Sequence, residues 1–102
     1  MKLDRNVNKD GRGKYALVRL RNIEKGSEAY GLLNRLEQLG HLDWGVVGQP
    51  DEFFVIKLRD KYAGAALRAY ADAVQDDVQY AIQVLGVAAR AGVQSPFCKE
   101  PD

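Results

Sequence analysis

Alternating apolar and polar side chains predict three β-strands in this chain. In the first, the segment KYALVRLRNI from Lys14 to Ile23, the side chains of Ala16, Val18 and Leu20 fall on one face and those of Leu17, Arg19 and Arg21 on the other. Successive side chains of a strand point to opposite sides of a sheet, so a period of two indicates a strand with one buried face. We therefore expect a half-buried strand here.

Two further apolar runs flank GQPDE, a connection of hairpin length that contains Gly48 and Pro50. The run 52–59 alternates most clearly and is predicted to be the strongest strand. The run 42–47 is shorter and contains Gly45, which favours a bent or bulged strand.

A helical period predicts a helix between Ser27 and Gly40. Ser27 is a natural N-cap, and Glu28 lies in the first turn, where the helix dipole favours a negative charge. Gly40 is a suitable C-terminal stop. The apolar face of this helix is predicted to comprise Tyr30, Leu32, Leu33, Leu36 and Leu39.

The second half of the chain predicts two more helices. Asp60 is expected to cap a helix that continues to about Val74. Asp76 followed by Gln79 resembles a capping box, so a third helix is expected to start there and to end at Gly92. The predicted apolar faces are Leu67, Tyr70 and Val74 in the former helix and Val78, Ala81, Ile82, Leu85 and Ala89 in the latter.

The predicted order of elements is β-α-β-β-α-α, which indicates an α+β fold. We expect a small three-stranded, largely antiparallel sheet packed on one face by helices, as a two-layer sandwich. Residues 1–102 are predicted to form a single domain, with a basic, turn-rich leader at 1–14 and a proline-containing tail at 93–102. Three strands leave sheet edges unpaired, which favours a homodimer.

Composition narrows the class of protein. The chain is 46% hydrophobic and 28% charged, as in globular proteins, and it has no apolar run near the roughly 20 residues that cross a bilayer. It has one cysteine, Cys98, and its first residues lack the apolar segment of a secretory signal. We therefore expect a cytoplasmic protein that is not embedded in a membrane.

The stretch NVNKDGRGKY resembles the start of a calcium loop. Asn6, Asn8 and Asp10 fall at alternate positions and Gly11 follows them, but Leu17 stands where the closing glutamate would be. The glycines and the asparagine and aspartate side chains favour a turn instead. No metal site and no cofactor are predicted.

Catalytic constellations are also weak. The only histidine, His41, follows a predicted helix end, and Cys98 lies in the tail, where a held base and oxyanion donors are not expected. Asp76 and Asp77 lie at a helix start, where capping accounts for them. We predict that the protein is not an enzyme.

One predicted surface indicates a binding function. The outer faces of the first and third predicted strands combine aromatic and basic side chains, which is the combination that single-stranded nucleic acid recognition uses. The excess of eight Lys/Arg over three Asp/Glu in residues 1–26 would extend it. Trp44 could also anchor a protein partner. The candidate binding surface comprises Lys9, Arg12, Lys14, Tyr15, Arg19, Arg21, Trp44, Phe53, Lys57 and Arg59.

Three blocks of the sequence, NKDGRGKYALVRLR, LDWGVVGQPDEFFVIKLRDKYA and SPFCKEPD, resemble a family of small hypothetical accessory proteins of tailed bacteriophages. The resemblance implies a non-enzymatic protein that acts in the cytoplasm of an infected bacterium, by binding and inhibiting a host enzyme or defence complex. Two hypotheses follow: a protein-binding module for a host or phage protein, and, as the alternative, a nucleic-acid-binding protein.

Overall fold

The computed structural model describes Leu3 and residues 11–102, and its regular elements are helices. It divides into two compact units, one of residues 15–54 and one of residues 55–102 with the described part of 1–14. The helices are α1 (Glu28–Gln38) in the first unit, and α2 (Ala63–Ala73), α3 (Val78–Ala88) and a 3₁₀ turn (Gly92–Gln94) in the second.

The predicted α+β sandwich is wrong, because none of the three predicted strands forms. Residues 11–102 contain no strand and no sheet. The first predicted strand gives way to a turn, in which the Ile23 amide donates to the Leu20 carbonyl at 3.0 Å. Alternation marks a segment that would suit a pleated surface, but a strand exists only where a second strand pairs with its backbone.

The predicted hairpin around GQPDE is replaced by two successive turns. The Gln49 amide donates to Val46 and the Glu52 amide to Gln49, each at 3.1 Å. Gly45 and Gly48 have φ of +65° and +82°. These left-handed conformations redirect the backbone away from the extended path of a strand.

The only β-type pairing in the described residues involves the tail. Asp60 and Lys99 form an isolated parallel bridge, in which Lys99 donates to Arg59 at 2.9 Å and Lys61 donates to Lys99 at 3.0 Å. The Gly92 amide also donates to the Leu58 carbonyl at 2.7 Å. This bridge lies directly after the third predicted strand, 52–59, and the sequence did not predict the pairing with the tail.

The prediction of α1 is confirmed at both ends. The Ser27 hydroxyl accepts from the Tyr30 amide at 3.1 Å, as an N-cap does. At the other end Gly40 has φ of +80°, its amide donates to Glu37, and the His41 amide donates to Leu36. These two hydrogen bonds define a Schellman motif, which ends the helix.

The predicted starts of α2 and α3 need correction. The α2 N-cap is Tyr62, and the Asp60 carboxylate accepts from the Tyr62 amide at 2.8 Å in the turn before the helix. The α3 N-cap is Asp77, whose carboxylate accepts from the Tyr80 amide at 3.0 Å. Because the N-cap is Asp77 and not Asp76, the predicted capping box of Asp76 and Gln79 does not form.

Helices α2 and α3 pack against each other as a helical hairpin. The buried residues of α2 are the small residues Ala63, Gly64 and Ala71, and Gly64 lies against Ala91 and Gly92 beyond the end of α3. Near the connection between the helices, the rings of Tyr70 and Tyr80 meet edge to face and their hydroxyls lie 2.9 Å apart.

The buried face of α3 differs from the predicted one. Val84, Val87 and Ala88 are buried, and Ala91 continues the same side beyond the helix. The helix ends at Ala88 rather than at Gly92, which instead begins the 3₁₀ turn. Every residue of α3 except two glutamines, one tyrosine and one glycine is aliphatic, so hydrophobicity alone could not distinguish the two faces.

Candidate functional site

The apolar face predicted for α3 is exposed except at Ala81, which is half-buried. Val78, Ile82 and Leu85 are 64%, 56% and 46% exposed. Residues at this spacing lie side by side along one face of a helix. We call these three residues the α3 stripe; it is a continuous apolar surface on the helix side that does not contain Val84 and Val87.

A second stripe of the same spacing lies on α1. Leu32, Leu36 and Leu39 are 61%, 40% and 51% exposed, while Leu33 is the only buried side chain of that helix. The prediction that all of these residues face a core is therefore wrong for three of them. Isolated exposed leucines are ordinary, but aligned ones are informative about a partner.

The ten residues of the candidate binding surface are divided between the two units. Lys9 lies outside the described residues. The unit of residues 55–102 includes Arg12, Lys14, Lys57 and Arg59, and the unit of residues 15–54 includes Tyr15, Arg19, Arg21, Trp44 and Phe53. The sheet face that was expected to align them is absent from residues 11–102.

Two of the aromatic candidates have contacts within their own unit. The Trp44 indole donates to the Glu37 carboxylate at the end of α1. The Phe53 ring lies so close to Gly45 that a Cβ atom at this glycine would overlap it. These contacts connect residues 42–54 to each other and to α1, although both rings remain partly exposed.

The basic candidates Lys57 and Arg59 converge on the last residue of the sequence. Lys57 Nζ and Arg59 Nη2 lie 3.6 and 3.3 Å from Asp102 Oδ2, and Lys99 Nζ lies 2.7 Å from Oδ1. Hydrogen bonds from Lys99 and Arg59 lower the pKa of the Asp102 carboxyl well below its ordinary value. We call these three cations and Asp102 the tail cluster.

A second ion pair, separate from the tail cluster, also connects the tail to the segment before α2. Lys61 Nζ lies 2.8 Å from Glu100 Oε1, and this hydrogen bond, followed by one with Tyr62, raises the pKa of Lys61. Sequence reasoning missed this arrangement because it treated the tail as irregular. The complementary charges in KLRDK and KEPD were the one signal that could have revealed it.

An open pocket of about 750 Å³ adjoins the tail cluster. Its cations come from three places: the segment before α2, the end of α3 and the tail. Its lining comprises Lys57, Leu58, Arg59, Arg90, Ser95, Pro96, Phe97 and Lys99. The sequence placed Lys57 and Arg59 on a binding surface, but it did not predict their association with Arg90 and Lys99.

The other residues considered for catalysis or metal binding either do not line this pocket or lie outside the described residues. His41 and Cys98 are both exposed, and Cys98 is a free thiol. Within Leu3 and residues 11–102, no group of three or more histidine, cysteine, aspartate or glutamate side chains could hold a metal ion. Residues 6–10 of the calcium-like stretch are outside the described residues.

Comparison with known proteins does not define a family for this chain. No protein-family model, no curated protein and no solved structure matches it. The resemblance to small phage proteins therefore stays a prediction. Among the helices of the described residues, none has both the length and the apolar character needed to cross a membrane.

Proposed function

We propose that this protein acts without catalysis, by binding another protein through the α3 stripe. The observation that carries the proposal is that α3 is apolar on two sides while α2 and its surroundings bury only the side containing Val84 and Val87. An apolar side of a helix is normally covered by packing against another surface. The partner we infer is a protein with an apolar groove that accepts a helix face.

The spacing of the stripe supports this mode of recognition. Residues Val78, Ile82 and Leu85 follow the i, i+4, i+7 pattern of the side chains that anchor a helix in a groove. Burying an aliphatic side chain contributes about 1.5–3 kcal/mol when it starts fully exposed. Because these residues are about half exposed, each would contribute about 1 kcal/mol. The stripe would therefore form the centre of the interface, and further contacts would have to contribute the rest of the binding free energy.

The resemblance to phage accessory proteins supports a bacterial or phage partner, whose function binding would inhibit. The nucleic-acid alternative has less support from the geometry. Lys57 and Arg59, two of its phosphate-binding candidates, already contact Asp102, and the expected flat array of aromatic rings has no sheet to carry it in residues 11–102.

The test is affinity purification from bacterial lysate with three versions of the protein as bait: wild type, Ile82→Lys and Gln79→Lys. Gln79 is an exposed polar residue of the same helix that borders the stripe without belonging to it, so the control adds the same charge at the edge of the stripe. We expect a protein that the wild type and Gln79→Lys retain equally and that Ile82→Lys loses.

Light scattering of the three purified proteins distinguishes self-association from binding to another protein. A homodimer that Ile82→Lys converts to a monomer would identify a second copy as the occupant of the stripe. Retention of the same proteins by all three baits, together with a monomeric wild type, would contradict the proposal. Salt-sensitive binding of an oligonucleotide in that case would favour the alternative.

A further inference from the structure

The pocket beside the tail cluster is lined by more positively charged than negatively charged side chains. Four cations line it, Lys57, Arg59, Lys99 and Arg90. Asp102 is the carboxylate that three of them contact. The nearby Glu100 is paired with Lys61, which is outside the lining. The lining therefore has a charge excess that a bound anion would balance.

Arg90 is the cation least committed to the protein. Its Nη1 donates to the Gly86 carbonyl of α3, the helix that precedes it, at 3.2 Å. Within residues 11–102 it has no carboxylate partner. A guanidinium has five N–H donors in a planar fork, which suits the oxygen atoms of a phosphate or carboxylate. Arg90 therefore has donors available for a ligand.

One further donor is available to a ligand. Arg59 Nε also has no hydrogen-bond partner in the described residues, but it is inaccessible to solvent and therefore does not contribute to ligand binding. The Ser95 hydroxyl oxygen accepts from the Phe97 amide at 3.0 Å, so its own hydrogen can be donated elsewhere.

The remaining wall of the pocket is apolar. Leu58, Pro96 and Phe97 line it, and the Phe97 ring is 76% exposed although the backbone around it is held by hydrogen bonds. An exposed ring beside arginines offers a stacking surface for a planar group. The volume of about 750 Å³ falls within the range of small-molecule sites.

We propose that this pocket binds a small phosphate ester with a planar ring, of which a nucleoside monophosphate is the simplest example. A phosphate carries a charge of about −1.5 to −2 at neutral pH and three acceptor oxygens. It balances the excess of cations better than a single carboxylate does. In this arrangement Arg90 and Ser95 bind the phosphate and Phe97 stacks on the ring.

The test is a titration of the isotopically labelled full chain with AMP, followed by NMR. We expect the amide signals of residues 57–59, 95 and 97–99 to shift with a single dissociation constant. Adenosine, which lacks the phosphate, and inorganic phosphate, which lacks the ring, should each bind at least about tenfold more weakly, as expected when a charge-assisted hydrogen bond or a stacking contact is lost.

The matched variants are Arg90→Gln and Arg68→Gln. Both arginines belong to the same unit, but Arg68 does not line this pocket. Arg90→Gln should weaken AMP binding by about tenfold or more, and Arg68→Gln should leave it unchanged. Lys57→Gln provides a second variant that leaves α3 intact.

Three results would overturn the proposal: no shifts at millimolar AMP, shifts spread over basic residues throughout the chain, or equal effects of the two arginine variants. The test is independent of the protein-binding proposal, because Arg90→Gln leaves the α3 stripe unchanged.

Discussion

Gly92 shows how one residue determines the packing of the unit formed by residues 55–102. Its φ is +62°, and its amide donates to Leu58. A Cβ atom at this position would lie 2.9 Å from the Gly64 nitrogen and 3.0 Å from the Lys61 carbonyl oxygen. Both neighbours are backbone atoms, so they cannot move aside as a flexible side chain can. Gly92 thus permits the chain after α3 to approach the start of α2.

Replacing Gly92 by alanine should destabilise the protein by about 2 kcal/mol or more, because left-handed strain of about 1–2 kcal/mol adds to the backbone clash. Gly86→Ala is the control, since Gly86 lies within α3 and a Cβ atom added there would meet nothing within 4 Å. That change should stabilise by up to about 1 kcal/mol. Urea unfolding measures both; equal effects would contradict the close approach at Gly92.

Asp102 gives the tail a pH dependence. Its pKa is lowered by Lys99 and Arg59, so the folded state favours the charged carboxylate. A lowered pKa contributes stability above the ordinary value of 3.8, and this contribution is lost as pH falls through the lowered pKa. The group is exposed, so the effect should be confined to the tail.

An NMR titration of the carboxyl carbons should place the midpoint of Asp102 below 3.8. Lys99→Gln should move this midpoint upward, because Lys99 supplies the largest of the favourable interactions. Lys61→Gln should leave it in place, since Lys61 pairs with Glu100. An Asp102 midpoint at the ordinary value in the wild type would contradict the tail cluster.

At the scale of elements, helices were predictable and strands were not. The cap at Ser27 and the stop at Gly40 act through neighbouring residues, so the sequence contains the information that defines α1. A strand needs a distant partner, and alternation in residues 14–23 or 52–59 does not specify one. The bridge between Asp60 and Lys99 joins segments that are far apart in the sequence, and no local pattern predicts it.

The candidate site was predictable only in part, for the same reason. Basic residues Lys57 and Arg59 were identified because their side chains alternate with apolar ones. Their association with Arg90 and Lys99 depends on how the tail returns to the segment before α2. The face predicted for α3 did not include Val84, Val87 and Ala88, which are the buried residues, because which side of the helix is buried depends on α2.

A pair of matched truncations on α3 tests the assignment of its faces. Val84→Ala should destabilise by about 2 kcal/mol, because Val84 is only 2% exposed and its truncation leaves a cavity. Val78→Ala removes the same atoms from a side chain that is 64% exposed, so its effect should be within about 0.5 kcal/mol. Urea unfolding compares them; a larger loss for Val78→Ala would restore the face predicted from the sequence.

At the scale of the molecule, two units of residues share one property: each has a helix with an exposed apolar stripe. In the unit of residues 15–54, the segments that failed to form strands expose further apolar side chains, with Tyr15, Val47 and Phe54 more than 80% exposed. Aligned exposed apolar side chains are typical of proteins that contact a partner. The α3 stripe is the best-defined example, because the opposite side of the same helix is buried.

The most direct test of this account is the affinity of the partner captured from lysate, or of the second copy, measured by calorimetry for the wild type and two variants. Ile82→Lys should weaken binding by at least about tenfold, since it removes a central apolar contact and buries a charge. Gln79→Lys should change it less than about twofold, because rim charges contribute little to affinity. Equal affinities for all three proteins would show that binding does not use the α3 stripe.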